Sequence, residues 1–249
     1  MTATGEAIVV THAHGVTRIE INRPAKRNAL TGAMYLAMAE AITGANKDDS
    51  VGVIMITGQP GAFCAGNDIG DFLRGRGTFE TPPAIVFLKA LVLSHKPLVA
   101  ALDGLAIGIG TTLVLHCDFA YATPRTRFHM PFIDLALVPE AAASLLVPRL
   151  CGIKRASEML LLGEAFDAES AARYGIINSV VANEVEAHAE AVALRLAAKP
   201  RAALLASRAL MRADSHKLLA RIDLEAEEFG ARLNSKDAKA VFAAFMAKA

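Results

Sequence analysis

The chain has 249 residues, of which 53% are hydrophobic, and its 26 lysines and arginines nearly balance its 25 aspartates and glutamates. A hydrophobic fraction of this size is sufficient for a large folded core, so the composition excludes an intrinsically disordered chain. The formal net charge of +1 lacks the basic excess of nucleic-acid-binding proteins, and we expect no nucleic-acid partner.

The cysteines and the apolar stretches indicate the cellular compartment of the protein. Cys64, Cys117 and Cys151 lie far apart without a CxxC spacing, which argues against both a disulfide framework and a zinc site. The first 15 residues lack the basic and apolar segments of a secretory signal. The most apolar stretch, residues 100–122, is interrupted by glycines and charges, so we expect no membrane span. The sequence predicts a cytoplasmic protein.

The N-terminal part alternates strands with a helix. Two runs rich in β-branched residues, 8–11 and 16–21, predict a hairpin. Thr31 can cap a helix in which apolar residues recur at intervals of three and four and which should end near Asp48. A buried strand is predicted over residues 51–57, which makes the unit a right-handed parallel crossover.

Two glycine-rich turns each follow a predicted buried strand. GAFCAGNDI, residues 61–69, follows strand 51–57, and DGLAIGIGTTL, residues 103–113, follows a strand predicted over 97–102. A strand that breaks into glycines before a helix leaves backbone N–H groups pointing into a cleft, where they attract developing negative charge. Two such turns can supply two N–H donors to one oxygen atom.

The second half is predicted to be mainly helical. Helices are expected over residues 141–150 and 154–161, and a further helix ends at Gly175 before a strand at 177–181. After residue 184 the apolar residues keep helical spacing. A dinucleotide-binding turn at the second glycine segment is disfavoured because the third glycine is missing and earlier strands precede it.

Four segments follow one another along the chain: NRPAKRNALT (22–31), GAFCAGNDI (61–69), DGLAIGIGTTLVLHCDFAYA (103–122) and FHMPFIDLALVPE (128–140). Their motifs and their order resemble those of the crotonase family, the superfamily of enoyl-CoA hydratases and isomerases. The resemblance implies an α/β crotonase (ClpP-like) fold of repeated ββα units with a C-terminal helical region. It implies a core domain over 1–199, with a CoA pocket and an oxyanion hole. It also implies that helices over 200–249 belong to the same fold unit, with roles in trimerisation and in covering the pocket.

The resemblance also assigns residues to substrate binding. By the match of motifs, the backbone N–H groups of Ala65 and Ile109 form the oxyanion hole. The crotonase loop that corresponds to residues 22–30 lies along the CoA nucleotide, which implies phosphate contact by Lys26 or Arg27. The alternative is that both side chains are ordinary solvated charges. The other implied substrate contacts are Ala29, Ala65, Gly66, Asn67, Asp68, Ile69, Gly108, Ile109, Phe132 and Lys248.

The acid–base residues decide the reaction. Hydratases of this family carry two catalytic glutamates, whose positions here hold Thr112 and Phe132. Glu140 follows Pro139 and resembles the VPE-type signature of Δ3,Δ2-enoyl-CoA isomerases, whose single glutamate moves a proton between C2 and C4. The alternative for Glu140 is a solvated residue in the first turn of the helix predicted from residue 141. Apolar neighbours on both sides disfavour such exposure.

Other reactive side chains are predicted to be structural. Asp118 is expected to tie backbone at a strand start, and Asp134 is the second candidate for a base. His95, His116 and His129 fit no metal-ligand spacing, and Cys64 and Ser144 lack the partners of a nucleophile, so we expect no metal and no covalent catalysis.

The resemblance therefore predicts an acyl-CoA enzyme that needs no cofactor beyond the CoA of its substrate. The predicted reaction is double-bond migration, which converts 3-enoyl-CoA to 2-enoyl-CoA. A hydratase that uses Glu140 and a bound water, and a non-catalytic acyl-CoA-binding protein, are the alternatives. The resemblance further implies a homotrimer or a dimer of trimers, in which Lys248 reaches the CoA nucleotide within or across subunits.

Overall fold

The computed structural model describes residues 7–70 and 81–246, without the side chains of residues 245 and 246. The strands are β1 (Ile8–Ala13), β2 (Val16–Ile21), β3 (Val53–Gly58), β4 (Ala62–Cys64), β5 (Leu98–Leu102), β6 (Leu105–Ile107), β7 (Phe119–Ala122), β8 (Arg127–His129), β9 (Phe166–Asp167) and β10 (Ser179–Val180). The helices are α1 (Gly32–Lys47), α2 (Pro83–Leu93), α3 (Ile109–Thr112), α4 (Ala143–Leu160), α5 (Ala168–Arg173), α6 (Val185–Ala197), α7 (Arg201–Met211), α8 (Ser215–Leu233) and α9 (Lys236–Met246). Short 3₁₀ helices span Pro24–Lys26, Leu113–His116 and Ile133–Leu135.

Within the described ranges the strands form two sheets. The larger has the order β1-β2-β3-β5-β7-β10 and is parallel except for the β1–β2 hairpin. The smaller has the order β4-β6-β8-β9 and is parallel except for β8–β9. Strands β3, β5 and β7 of the first sheet are each followed along the chain by β4, β6 and β8 of the second. This alternation confirms the predicted crotonase-type α/β fold of repeated ββα units.

Both faces of the larger sheet are buried, as expected for parallel strands. On β3, Ile54 and Ile56 face the main core, to which Met38 of α1 also belongs. Val53 and Met55, which alternate with them, pack in a second cluster with residues of α6. The continuous apolar run of β3 is therefore explained by burial on two sides.

The local signals placed most elements correctly. The side chain of Thr31 caps α1 by accepting the backbone N–H of Met34, and α1 ends at Lys47. The helix predicted from residue 141 begins instead at Ala143, because Ala141 and Ala142 adopt left-handed backbone with φ of 62° and 57°. A break at Gly152 divides α4, in agreement with the two helices predicted for this region.

The C-terminal helices contact the rest of the chain. Helix α8 packs on α2, and α9 packs on the 3₁₀ helix Ile133–Leu135. Arg208 of α7 is buried and donates to the carboxylate of Asp118 at 2.8 Å. The same carboxylate accepts the backbone N–H of Leu98 at 2.8 Å, which confirms that Asp118 ties backbone.

Candidate active site

Three loops meet at one edge of the smaller sheet. Strands β4, β6 and β8 are neighbours and run parallel, so their carboxyl ends lie side by side. The register pairs Cys64 with Ala106, and Ile107 with His129. The segments 65–69, 108–112 and 130–142, which follow these strands, therefore come together. The topology brings the two predicted glycine turns to the same place as the segment that carries Glu140.

The first turn is held by the loop that precedes α1. The N–H of Ala65 donates to the carbonyl oxygen of Arg27 at 3.1 Å, and Leu30 donates to Gly66 at 2.8 Å. The N–H of Asn67, by contrast, donates to no acceptor among the described residues. The prediction that Ala65 offers a free donor conflicts with its hydrogen bond to Arg27. The motif alone did not indicate that this N–H is occupied.

The second turn presents the start of helix α3. Gly108 has φ of 55° and donates its N–H to His129 at 2.8 Å, and its carbonyl oxygen accepts the N–H of Thr111 and of Thr112. The N–H of Ile109, at the first position of α3, has no acceptor in the described part of the chain. This is the donor predicted at Ile109.

Glycine at position 110 lets the two turns approach each other. A Cβ at Gly110 would lie 2.5 Å from the carbonyl oxygen of Cys64, well inside contact distance. Only a residue without a side chain allows α3 to start this close to the end of β4. The open N–H groups of Asn67 and Ile109 consequently lie on adjoining turns.

Glu140 extends into this region from the loop between β8 and α4. Its Oε1 accepts a hydrogen bond from the hydroxyl of Thr112, the residue at one of the hydratase glutamate positions. The residue keeps some accessible surface, but its carboxyl group is withdrawn from solvent, and this burial raises the pKa of Glu140 to about 8. The Thr112 hydrogen bond opposes the rise, and the charge of Glu225 adds to it. Glu140 is therefore not a solvated residue in the first turn of a helix, which was the alternative prediction.

Tyr35 and Cys64 are buried near the same carboxyl group. Burial is the main cause of the raised pKa of Tyr35, and the charges of Cys64 and Glu140 add to it. Burial also raises the pKa of the Cys64 thiol to about 12, and the predicted burial of this side chain is confirmed.

The Tyr35 hydroxyl donates to Asn67 Oδ1 at 2.7 Å and so fixes the side chain beside the first open N–H. Tyr35 was not among the residues predicted for the site. Its helical spacing from Met38 and Ile42 was the available signal that it lies on the buried face of α1.

The predicted nucleotide-binding loop is attached to the first turn. Arg23 pairs with Asp68 at 2.7 Å and also donates to the carbonyl oxygen of Ala29 at 3.0 Å. Asp68 thus has a structural partner as well as its predicted substrate role. The side chains of Lys26 and Arg27 are exposed beside this turn, and their contact with phosphate stays a prediction.

Of the remaining predicted substrate contacts, two lie in or against the core and one lies outside the described residues. Phe132 is buried in the main core, and Ile69 packs against that core. Lys248 lies outside the described residues, so its role stays a prediction.

His116 and His129 each contact a backbone carbonyl oxygen. His116 is fully buried, and its Nε2 is 2.8 Å from the carbonyl oxygen of Ala141, while His129 makes the same type of contact to Gly163 at 2.8 Å. Over residues 7–70 and 81–246, no three His, Cys, Asp or Glu side chains converge where a metal ion could bind. In those ranges no helix is long and apolar enough to cross a membrane.

Comparisons with known proteins agree with this architecture. The model of a family described as enoyl-CoA hydratase/isomerase matches residues 11–249. The 1,2-epoxyphenylacetyl-CoA isomerase of Escherichia coli (strain K12) is 32% identical over 247 residues, which cover 94% of this chain and 93% of that protein. The crystal structure of enoyl-CoA hydratase/isomerase from Pseudoalteromonas atlantica T6c is 34% identical, with a TM-score of 0.93 and 98% of each chain covered.

A shorter match connects the chain with a delta isomerase. Enoyl-CoA delta isomerase 3, peroxisomal, of Mus musculus is 35% identical over 179 residues, which cover 70% of this chain. This match spans 56% of the mouse protein. Since the family model covers nearly the whole chain and the fold agrees, the chain belongs to the enoyl-CoA hydratase/isomerase family of the crotonase superfamily.

Proposed function

We propose that this protein is a Δ3,Δ2-enoyl-CoA isomerase in which Glu140 is the only proton-transfer residue. The observation that carries the proposal is a carboxyl group that is withdrawn from solvent and accepts a hydrogen bond from the Thr112 hydroxyl, in a site whose two hydratase glutamate positions hold Thr112 and Phe132. The name of the mouse relative supports the same reaction.

The proposed chemistry balances without a cofactor. Glu140 removes a proton from C2 of the 3-enoyl thioester, and the electron pair shifts to the thioester oxygen. The N–H groups of Asn67 and Ile109 are the proposed donors to that oxygen, because neither donates elsewhere among the described residues. The protonated Glu140 then returns the proton to C4, which leaves the double bond between C2 and C3. Donors placed where charge develops are worth more in a buried site than in water.

An ultraviolet assay tests the reaction. Isomerisation of 3-enoyl-CoA creates the conjugated thioester absorbance, whereas hydration of 2-enoyl-CoA removes it. The hydratase alternative predicts loss of absorbance with 2-enoyl-CoA. A non-catalytic acyl-CoA-binding protein would bind both thioesters and change neither spectrum. Absence of turnover on 3-enoyl-CoA thioesters of several lengths would contradict the proposal.

The pH dependence of kcat/KM should show Glu140 as a base. Because desolvation raises the pKa of Glu140 to about 8, the carboxyl group is mostly protonated at neutral pH. A base acts in its ionised form, so kcat/KM should rise with pH through a limb near pH 8. Initial rates across this range measure the limb. A limb near the ordinary pKa of glutamate would show that the free enzyme does not hold Glu140 in this environment.

We also propose a trimeric or hexameric assembly. Leu210 and Met211 at the end of α7 are 82% and 85% exposed, and Leu161 and Leu162 after α4 are each 66% exposed. Exposed apolar side chains of this size favour contact with another subunit. Light scattering should give a mass three or six times that of the chain, and a monomer mass at micromolar concentration would refute the assembly.

A further inference from the structure

The backbone directly after Glu140 is strained. Ala141 and Ala142 both lie in the left-handed region, where residues other than glycine are uncommon. Such a conformation persists only when the surrounding structure holds it. Because the turn starts at the residue next to Glu140, whatever holds the turn also determines where the Glu140 carboxyl group lies.

Two buried side chains hold this turn from different elements. His116 is close to the carbonyl oxygen of Ala141 at 2.8 Å. Since a carbonyl can only accept, Nε2 of His116 carries the hydrogen. From the other side, Glu225 of α8 accepts the N–H of Ala142 at 2.6 Å and the N–H of Ser144 at 3.0 Å, and it also accepts the hydroxyl of Ser144.

Glu225 occupies a position where α8 otherwise places apolar residues. It is 6% exposed and shares the buried face of α8 with Leu218 and Ile222. A carboxylate is costly to bury unless donors serve it, and here the donors all come from the turn and the start of α4. Capping of α4 is the simpler explanation of this arrangement, so a test must separate capping from an effect on Glu140.

We propose that Glu225 is a positioning residue, which holds the turn at Ala142 and Ser144 and thereby keeps the Glu140 carboxyl group against Thr112. The inference rests on the proposed function of Glu140. It adds a residue from the C-terminal helical region to the site, 83 positions along the chain from Ala142.

Several titratable groups surround the two carboxyl groups. Tyr35 of α1 and Cys64 at the end of β4 interact with Glu140, and His116 lies behind the turn, where burial lowers its pKa to about 4. Arg221 of α8 lies near Glu225 and donates to Ser144 Oγ at 3.3 Å. The charge of Glu225 contributes to the raised pKa of Glu140 after burial. Removal of that charge should therefore move the rising limb of kcat/KM to lower pH.

Glu225→Gln is the first test, with kinetics on 3-enoyl-CoA. Glutamine keeps the shape of the side chain but presents an NH₂ group to one of the N–H donors. The turn therefore loses a hydrogen bond and no longer holds the Glu140 carboxyl group in place. We expect kcat to fall by at least about tenfold, since small misplacements of a catalytic group are costly, and KM to change little. The rising limb of kcat/KM should shift to lower pH.

Asp167→Asn is the matched control, because the Asp167 carboxylate caps α5 by accepting the N–H of Ser170 at 2.8 Å, away from Glu140. It should lower stability without changing kcat or the pH limb. If Glu225→Gln does not fold, Glu225→Asp retains the charge while shortening the side chain, and kcat should fall with the limb unmoved. The positioning role alone would be overturned by two results together. A folded Glu225 variant would keep wild-type kcat and an unmoved limb, while the separate variant Glu140→Gln would be inactive. Full activity of Glu140→Gln would instead overturn the proposed function.

Discussion

Glu140→Gln is expected to lower isomerase turnover by at least about a hundredfold, the low end of contributions from a positioned acid–base group. Glutamine keeps the size of the side chain, and its carbonyl oxygen can still accept the hydroxyl of Thr112, but it cannot remove a proton from C2. The proposed donors to the thioester oxygen are backbone groups, so acyl-CoA affinity should be largely retained. Steady-state rates with 3-enoyl-CoA and calorimetric binding of a 2-enoyl-CoA measure the two effects separately.

Glu190→Gln provides the matched control, because Glu190 is exposed on α6, away from the loops of the site. Its kinetics should equal those of the wild type. Retention of most turnover by Glu140→Gln would remove the main support for the isomerase assignment. Asp134, exposed on the 3₁₀ helix Ile133–Leu135, would then be the next base to test.

The framework of the site could be predicted because its signals are local. Each strand and the glycine turn after it are continuous in sequence, and the parallel pairing of β4, β6 and β8 then places these turns together. The Thr31 cap and the open N–H at the start of α3 follow from the same kind of short pattern. The burial of the Glu140 carboxyl group could be predicted because its apolar neighbours are adjacent in the chain.

The missed features depend on contacts between distant segments. Glu225 meets Ala142 across 83 positions, and Tyr35 meets Asn67 across 32. Alanine favours helix locally, yet Ala141 and Ala142 are held outside α4 by their tertiary partners.

The hydrogen bond that occupies the N–H of Ala65 also depends on a contact with a separate segment. The loop before α1 is attached to the first turn by the Arg23–Asp68 ion pair and by Asn28, whose Nδ2 donates to the carbonyl oxygen of Ala62 at 2.7 Å. This attachment brings the Arg27 carbonyl oxygen to the N–H of Ala65. A motif read along one segment carries no information on which of its N–H groups another segment occupies.

Ile109→Pro is expected to lower turnover by about a hundredfold to a thousandfold, which corresponds to about 2.7 to 4 kcal/mol for one lost oxyanion donor. Proline is tolerated at the first position of a helix, where its missing N–H has no intrahelical partner, and Ile109 begins α3. Ile109→Ala is the control, because it removes the buried side chain but keeps the N–H. The alanine variant should lose stability and retain most turnover once folded. A folded proline variant with near-normal turnover would exclude the Ile109 N–H from the site.

The same logic decides between Asn67 and Ala65 as the first donor. Replacement of either residue by its α-hydroxy acid analogue exchanges the N–H for an ester oxygen with little change of shape. At Asn67, whose N–H has no acceptor among the described residues, the exchange should lower kcat by a factor similar to that at Ile109. At Ala65 it removes the 3.1 Å hydrogen bond to Arg27, which should lower the free energy of unfolding by about 1 kcal/mol with much less effect on kcat. Loss of the N–H that holds the thioester oxygen lowers kcat, whereas loss of a purely structural hydrogen bond lowers stability. A large loss of kcat at Ala65 and none at Asn67 would therefore identify Ala65 as the donor, as the motif predicted.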